Sequence, residues 1–134
     1  MSDIRPAIIY RYWYSIDWSV RDLWTLDLPK TRLPMESLTW HLDFPVWPDA
    51  DGQPYRGTPR QVVEQRQENA VEFARVQQAD LAYPIEAILR GTRWMILDGI
   101  HRMTKAWLDG ADHMTVRVVP ESAVQQMQHP GSAH

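Results

Sequence analysis

Between Arg93 and Asp109 the chain reads RWMILDGIHRMTKAWLD, a short apolar run that ends in Asp98-Gly99 and passes at once into a helical pattern. The spacing predicts a strand, a tight turn and a helix. Glycine at the turn lets the backbone fold closely and leaves room for a ligand. The first N–H groups of the following helix lack internal partners and carry about half a positive charge, which suits a phosphate. His101, Arg102 and Lys105 crowd the first turn and a half, although a helix N-terminus favours acids by roughly 0.3 to 1 kcal/mol per charge. Asp98 is expected to cap the helix and offset part of this excess. The remaining positive charge makes sense if an anion binds at Asp98-Gly99-Ile100-His101-Arg102, with Arg102 a bidentate donor and His101 a second donor. The competing reading is an ordinary strand-to-helix joint with its basic residues in solvent, since Asp-Gly is a common turn dipeptide.

A second group of reactive side chains lies in Leu33 to Trp47, LPMESLTWHLDFPVW. Trp40, His41 and Trp47 are expected to line a pocket for a ring or aliphatic group; the alternative is that the large rings build the core and that His41 is a surface or core-edge imidazole. Glu36 reads equally as a solvated helix residue. His41-Leu42-Asp43 with the distant His101 mimics a two-histidine, one-carboxylate iron site. That pattern usually sits on a double-stranded β-barrel, for which this chain has too few strands, so no metal ligands are assigned.

The elements that must position these residues follow from pattern. Ala7 to Tyr14, AIIYRYWY, reads as a strand. Val20 to Leu28 fits a short helix or a strand, and we assign strand to Leu23 to Leu28, ended by Pro29. Leu33 begins as a strand end and becomes a helical turn around Glu36 to Leu42, beyond which Pro45 and Pro48 forbid more helix. After the turn-rich loop Pro48 to Gly57, Thr58-Pro59-Arg60-Gln61 forms a capping box with proline at the first helical position. The polar run Glu64 to Asn69 would cross the core-facing stripe of a continuous helix, which predicts a break near Arg66 to Glu68. Ile85 to Leu89 and Thr92 to Leu97 flank Arg90-Gly91 as a hairpin that delivers the chain to Asp98. The helix from Ile100 to Asp109 stops at Gly110, and Met114 to Val119 returns as a strand. The segment after Pro120 is expected to be a flexible tail.

Composition bounds the function. At 134 residues and 44% hydrophobic content the chain suits one domain with a real core. A net charge of −3 gives no broad nucleic-acid-binding face. Without an 18-residue apolar run or a basic-then-apolar leader, a cytoplasmic, non-membrane protein is expected. There is no cysteine, so disulfides, thiolate metal sites and thiol nucleophiles are excluded. Seven tryptophans are many for this length, and such surfaces also suit a homodimer.

Ile96-Leu97-Asp98-Gly99-Ile100-His101-Arg102, continued by an amphipathic helix, the Gly110 stop and the strand-like Met114 to Val119, resembles the signature of the ParB/sulfiredoxin superfamily. Upstream, Tyr83-Pro84-Ile85 is similar to the family's Pro-Ile strand opening, and Leu33 to Leu38 matches more loosely. The resemblance implies an α+β ParB/sulfiredoxin-like domain over residues 33–120, with a small mixed sheet and flanking helices. Residues 1–32 would form an aromatic-rich N-terminal extension, and residues 121–134 the tail. It also implies that Gly99, Ile100, His101, Arg102 and Lys105 hold the phosphates of a nucleotide, ATP or another NTP with Mg²⁺.

In the family's free-serine kinase members an acid of the N-terminal part is the general base, and Glu36 and Asp43 are the candidates here. Asp98 and His101 complete the expected catalytic set for phosphoryl transfer to a small hydroxyl-bearing metabolite. Sulfiredoxin chemistry needs a cysteine where this chain has Ile100. Chromosome partition needs a DNA-binding and a dimerisation region beyond Pro120. The alternative function is a nucleotide-sensing or partner-binding module without turnover, and nuclease activity is opposed by the lack of a basic stripe.

Overall fold

A computed structural model of the chain describes residues 20–128. They form an α+β domain around a mixed sheet of β1 (Lys30–Pro34), β2 (Ile85–Arg90), β3 (Arg93–Asp98) and β4 (His113–Val118), ordered β1-β4-β2-β3. β2 runs parallel to β4, and the other pairings are antiparallel. The strand expected over residues 7–14 lies outside the described residues.

The capping box forms as read. The Gln61 N–H donates to Thr58 Oγ1 at 3.1 Å, and the Thr58 N–H donates to Gln61 Oε1 at 3.0 Å. That starts α2 (Pro59–Glu64) with proline at its first turn. Burying the polar run after it would strand charges in the core, so the chain leaves the helix: Gln65 takes φ −120°, ψ 60° before α3 (Ala70–Gln78). The strand end at Leu33 closes β1, and two short 3₁₀ turns, Met35–Ser37 and Thr39–Asp43, follow. α4 (Ile100–Leu108) begins directly after β3. It ends in a Schellman pair, with Ala111 N–H donating to Ala106 O and Gly110 N–H to Trp107 O.

The sheet is covered on both faces. Ile85, Ala87, Ile96, Met114 and Val116 pack with Met103 and Ala106 of α4 and with Met35, Leu38 and Leu42 of the 3₁₀ turns. Ile88, Met95 and Leu97 pack on the opposite side with Leu23, Val119 and Val124. This second cluster corrects two expectations. Val20–Thr25 is a helix, α1, not a strand over Leu23 to Leu28, because a helical turn sets Leu23 fully into the core while Arg21, Asp22 and Trp24 stay exposed. Glu121–Gln128 is a helix too, α5, where a flexible tail was expected; burial of Val124 gives that polar segment an anchor. No helix of the described residues is long and apolar enough to cross a membrane.

One irregularity in the sheet positions the site. Ala87 pairs with Ile96, yet Glu86 pairs with Asp98, so Leu97 is an extra residue in β3. Such a bulge resets the side-chain alternation beyond it and sets Asp98 directly across from Glu86. On the other side of Glu86 the parallel pairing places Arg117 of β4. An ionisable row, Arg117-Glu86-Asp98, therefore runs across three strands.

Candidate functional site

Asp98, Gly99, His101 and Arg102 line a cavity of ≈ 920 Å³ together with Trp24, Lys30, Arg75, Tyr83, Glu86 and Arg117. Gly99 is the N-cap of α4, at φ 114°, and no side chain caps the helix. The expected cap by Asp98 is not made. Its Oδ2 instead accepts from Arg102 Nη2 at 2.9 Å and from Trp24 Nε1 at 3.0 Å, so no side chain takes up the N–H groups that open α4. Glycine is required at this turn: a Cβ on Gly99 would sit 2.5 Å from Ile85 Cγ2.

Arg102 is held from two sides, since its Nη1 also donates to Pro84 O at 2.6 Å. Arg117 Nη1 donates to Glu86 Oε2 at 2.9 Å and to Leu23 O at 3.2 Å, and its Nη2 donates to Leu26 O. One guanidinium thus ties β4 to β2 and satisfies carbonyls at the end of α1. Glu86 is 2% exposed, and its Oε1 has no hydrogen-bond partner. Burial pushes the Glu86 carboxyl up, the Arg117 hydrogen bond pulls it down, and the facing Asp98 pushes it up again, with a net rise.

His101 is oriented from behind. Its ring stacks on Trp47 at 4.4 Å, tilted by 14°, and its Nε2 donates to Glu72 Oε2 at 2.9 Å. Glu72 is buried on α3 and accepts from Arg75 Nη1 at 2.9 Å. Trp47 is accordingly a core ring beneath the site, not a pocket wall.

The other expected site residues lie away from the cavity. Lys105 Nζ donates to Gln77 O at 2.8 Å and to Ala79 O at 2.9 Å; it serves the last carbonyls of α3, where the helix dipole favours a cation. Ile100 puts its side chain into the core, leaving only its N–H at the turn. Asp43 pairs with Arg60, Oδ1 to Nε at 2.7 Å, and that hydrogen bond holds its carboxyl below the usual range. Glu36 is exposed on the first 3₁₀ turn. Trp40 donates from Nε1 to Trp94 O at 2.9 Å and packs against the core.

His41 is a core group, which removes it from both the pocket and the iron-site reading. It is fully buried; Nδ1 donates to Leu38 O at 2.7 Å, and Nε2 accepts from the Ile96 N–H at 3.0 Å. Those two bonds require the neutral ring, and burial lowers its pKa from 6.5 to about 4. A base whose folded pKa is depressed loses stability as pH falls, because the unfolded chain takes up the proton first. Unfolding free energy should fall by about 2 kcal/mol between neutrality and about pH 5 from this group. His41→Gln, measured by urea unfolding across that range, should flatten the slope; an unchanged slope would rule out His41 as its source. Among the described residues no three His, Cys, Asp or Glu side chains converge on a metal position.

Residue types alone do not single out Glu86, Arg117, Lys30, Arg75, Trp24 or Tyr83. The available signal was one charge inside each of two apolar strands, Glu86 in IEAIL and Arg117 in MTVRVV. A lone acid and a lone base in such runs need each other. Comparison with protein-family models, curated proteins and solved structures finds no match to this chain.

Proposed function

We propose that the cavity beside Asp98-Gly99-Ile100-His101-Arg102 binds a nucleotide or another phosphorylated small molecule, its phosphate at the N-terminus of α4. One observation carries this reading: the uncapped start of α4, with Gly99, His101 and Arg102, lines a cavity to which Lys30, Arg75 and Arg117 also contribute. Its size falls in the range of roughly 300 to 1,000 Å³ common for small-molecule sites. Trp24 and Tyr83, 61% and 64% exposed at its wall, offer flat apolar faces to the rest of the ligand. With this reading goes a relationship to the ParB/sulfiredoxin superfamily, supported by the run from the β2–β3 hairpin through Asp98-Gly99 into α4 and on to β4.

Binding without turnover is the second reading, favoured because neither Glu36 nor Asp43 lines the cavity. Phosphoryl transfer there would draw on Asp98, Glu86 or Asp80, the cavity's carboxylates. These fit Mg²⁺ held chiefly by phosphates with one carboxylate, and the ion would neutralise phosphate charge. Calorimetric titration with ATP, ADP, CTP and GTP, with and without Mg²⁺, tests the site. Arg102→Ala should weaken the best ligand by about 10- to 100-fold, while Asp43→Asn should leave it unchanged. A folded wild type that binds none of them sinks the proposal.

A further inference from the structure

We infer that the phosphorylated ligand carries a flat aromatic ring stacked against Trp24 and Tyr83, so that the site prefers nucleotides and aryl phosphates over sugar and alkyl phosphates. This deepens the anion-site reading above and rests on it. Trp24 and Tyr83 line the cavity yet are 61% and 64% exposed, and neither is part of the three core clusters. Large rings usually contribute by burial. Among the described residues no other ring and no cation stacks on either one. Trp24 is exposed and still fixed: its Nε1 donates to Asp98 Oδ2 at 3.0 Å, a bond to a carboxylate and therefore a strong one. An indole tied down by its edge, with most of its surface open, is a platform waiting for a partner.

Both rings are tied to the same cation. Asp98 Oδ2, which holds Trp24, also accepts from Arg102 Nη2 at 2.9 Å, so the indole nitrogen and the guanidinium share one oxygen. Arg102 Nη1 donates to the carbonyl of Pro84, the residue that follows Tyr83. An anion drawn to Arg102 and the start of α4 therefore leaves the rest of its molecule beside two aromatic side chains. A sugar there loses little by staying in water, whereas a flat π system gains contact over its whole face. Stacking is also tolerant of which ring arrives, because every base has a π-face. The selectivity is accordingly for a ring over no ring, not for one base over another.

Calorimetry on the full chain with AMP, ribose 5-phosphate, phenyl phosphate and cyclohexyl phosphate separates the outcomes. AMP should bind about tenfold or more tightly than ribose 5-phosphate, and phenyl phosphate should bind more tightly than cyclohexyl phosphate, which has similar bulk but no flat face. Trp24→Leu should bring both ratios down toward one; a ratio, unlike a single affinity, is not moved by a general disturbance of the phosphate subsite. Equal binding of AMP and ribose 5-phosphate by the wild type overturns the inference alone and leaves an anion site without a ring site. Equal binding of phenyl and cyclohexyl phosphate overturns stacking in favour of apolar burial without shape. Ratios that persist in both Trp24→Leu and Tyr83→Leu place the ring contact elsewhere and overturn it too. If no phosphate compound and no nucleotide binds, the anion-site reading falls and this inference with it. Should a variant fail to fold, the wild-type ratios decide.

Discussion

Arg117→Met should cost the fold about 3 to 5 kcal/mol, the range for removing one partner of a buried ion pair. Arg117 and Glu86 have side chains only 13% and 3% exposed, so solvent does little to screen the charge left behind. The substitution also strips donors from Leu23 O and Leu26 O, loosening α1 from the sheet. Two companion results identify the mechanism. The double substitution Arg117→Met, Glu86→Leu should recover much of the loss, because a packed apolar pair replaces an unpaired charge. The single variant's deficit should shrink as pH falls, since Glu86, a carboxyl already pushed upward by burial and Asp98, then takes up a proton and sheds its charge. Urea unfolding of the three proteins at two pH values measures both. A loss below about 1 kcal/mol for Arg117→Met would place the pair in the class of weak surface bridges.

Gly99→Ala should cost about 3 kcal/mol or more, combining an unfavourable positive φ with a core collision. The backbone there lies at φ 114°, and the new methyl would meet Ile85 Cγ2 at 2.5 Å and Ile85 Cβ at 2.9 Å. Ile85 is fully buried, so it has nowhere to move without shifting β2. Gly91→Ala, also at positive φ but with nothing within 4 Å of its Cβ, isolates the backbone contribution and should cost only about 1 kcal/mol. Thermal unfolding of the two variants compares them directly. Equal losses would mean that the close approach of Gly99 to Ile85 contributes nothing. Where Gly99→Ala still folds, the displaced turn should also weaken phosphate binding, a second readout by titration.

Local chemistry made much of this architecture legible. Thr58 to Gln61, the polar interruption after Val63, the hairpin around Gly91 and the helix after Gly99 are each specified by residues adjacent in sequence. What remained hidden depends on partners far along the chain. Helix prevails at Val20–Thr25 because Leu23 finds a core slot beside Val119 and Val124, and α5 has its anchor in the same cluster. His41 is a poor core residue by type until Leu38 O and the Ile96 N–H are present to fix its neutral ring. Asp98, Gly99, His101 and Arg102 line one cavity, while Asp43, Trp40, His41 and Lys105 have partners elsewhere and Glu36 is exposed. Glu86 escaped notice because a bulge, which leaves no mark in the residue pattern, sets it opposite Asp98.

That bulge has a kinetic side. Glu86 and Asp98 lie on one hairpin, a local element of the kind that closes in about 1 to 10 μs, whereas Arg117 reaches them only after α4 has crossed over to lay β4 parallel to β2. Early in folding the hairpin therefore brings two carboxyl groups face to face with only the local Arg102 to offset them, before Arg117 arrives. Mild acid, by protonating one of them, should speed this assembly even as it weakens the finished fold through His41. The ion row that supports the candidate site is thus also the part of the sheet that stays one cation short until the last strand docks.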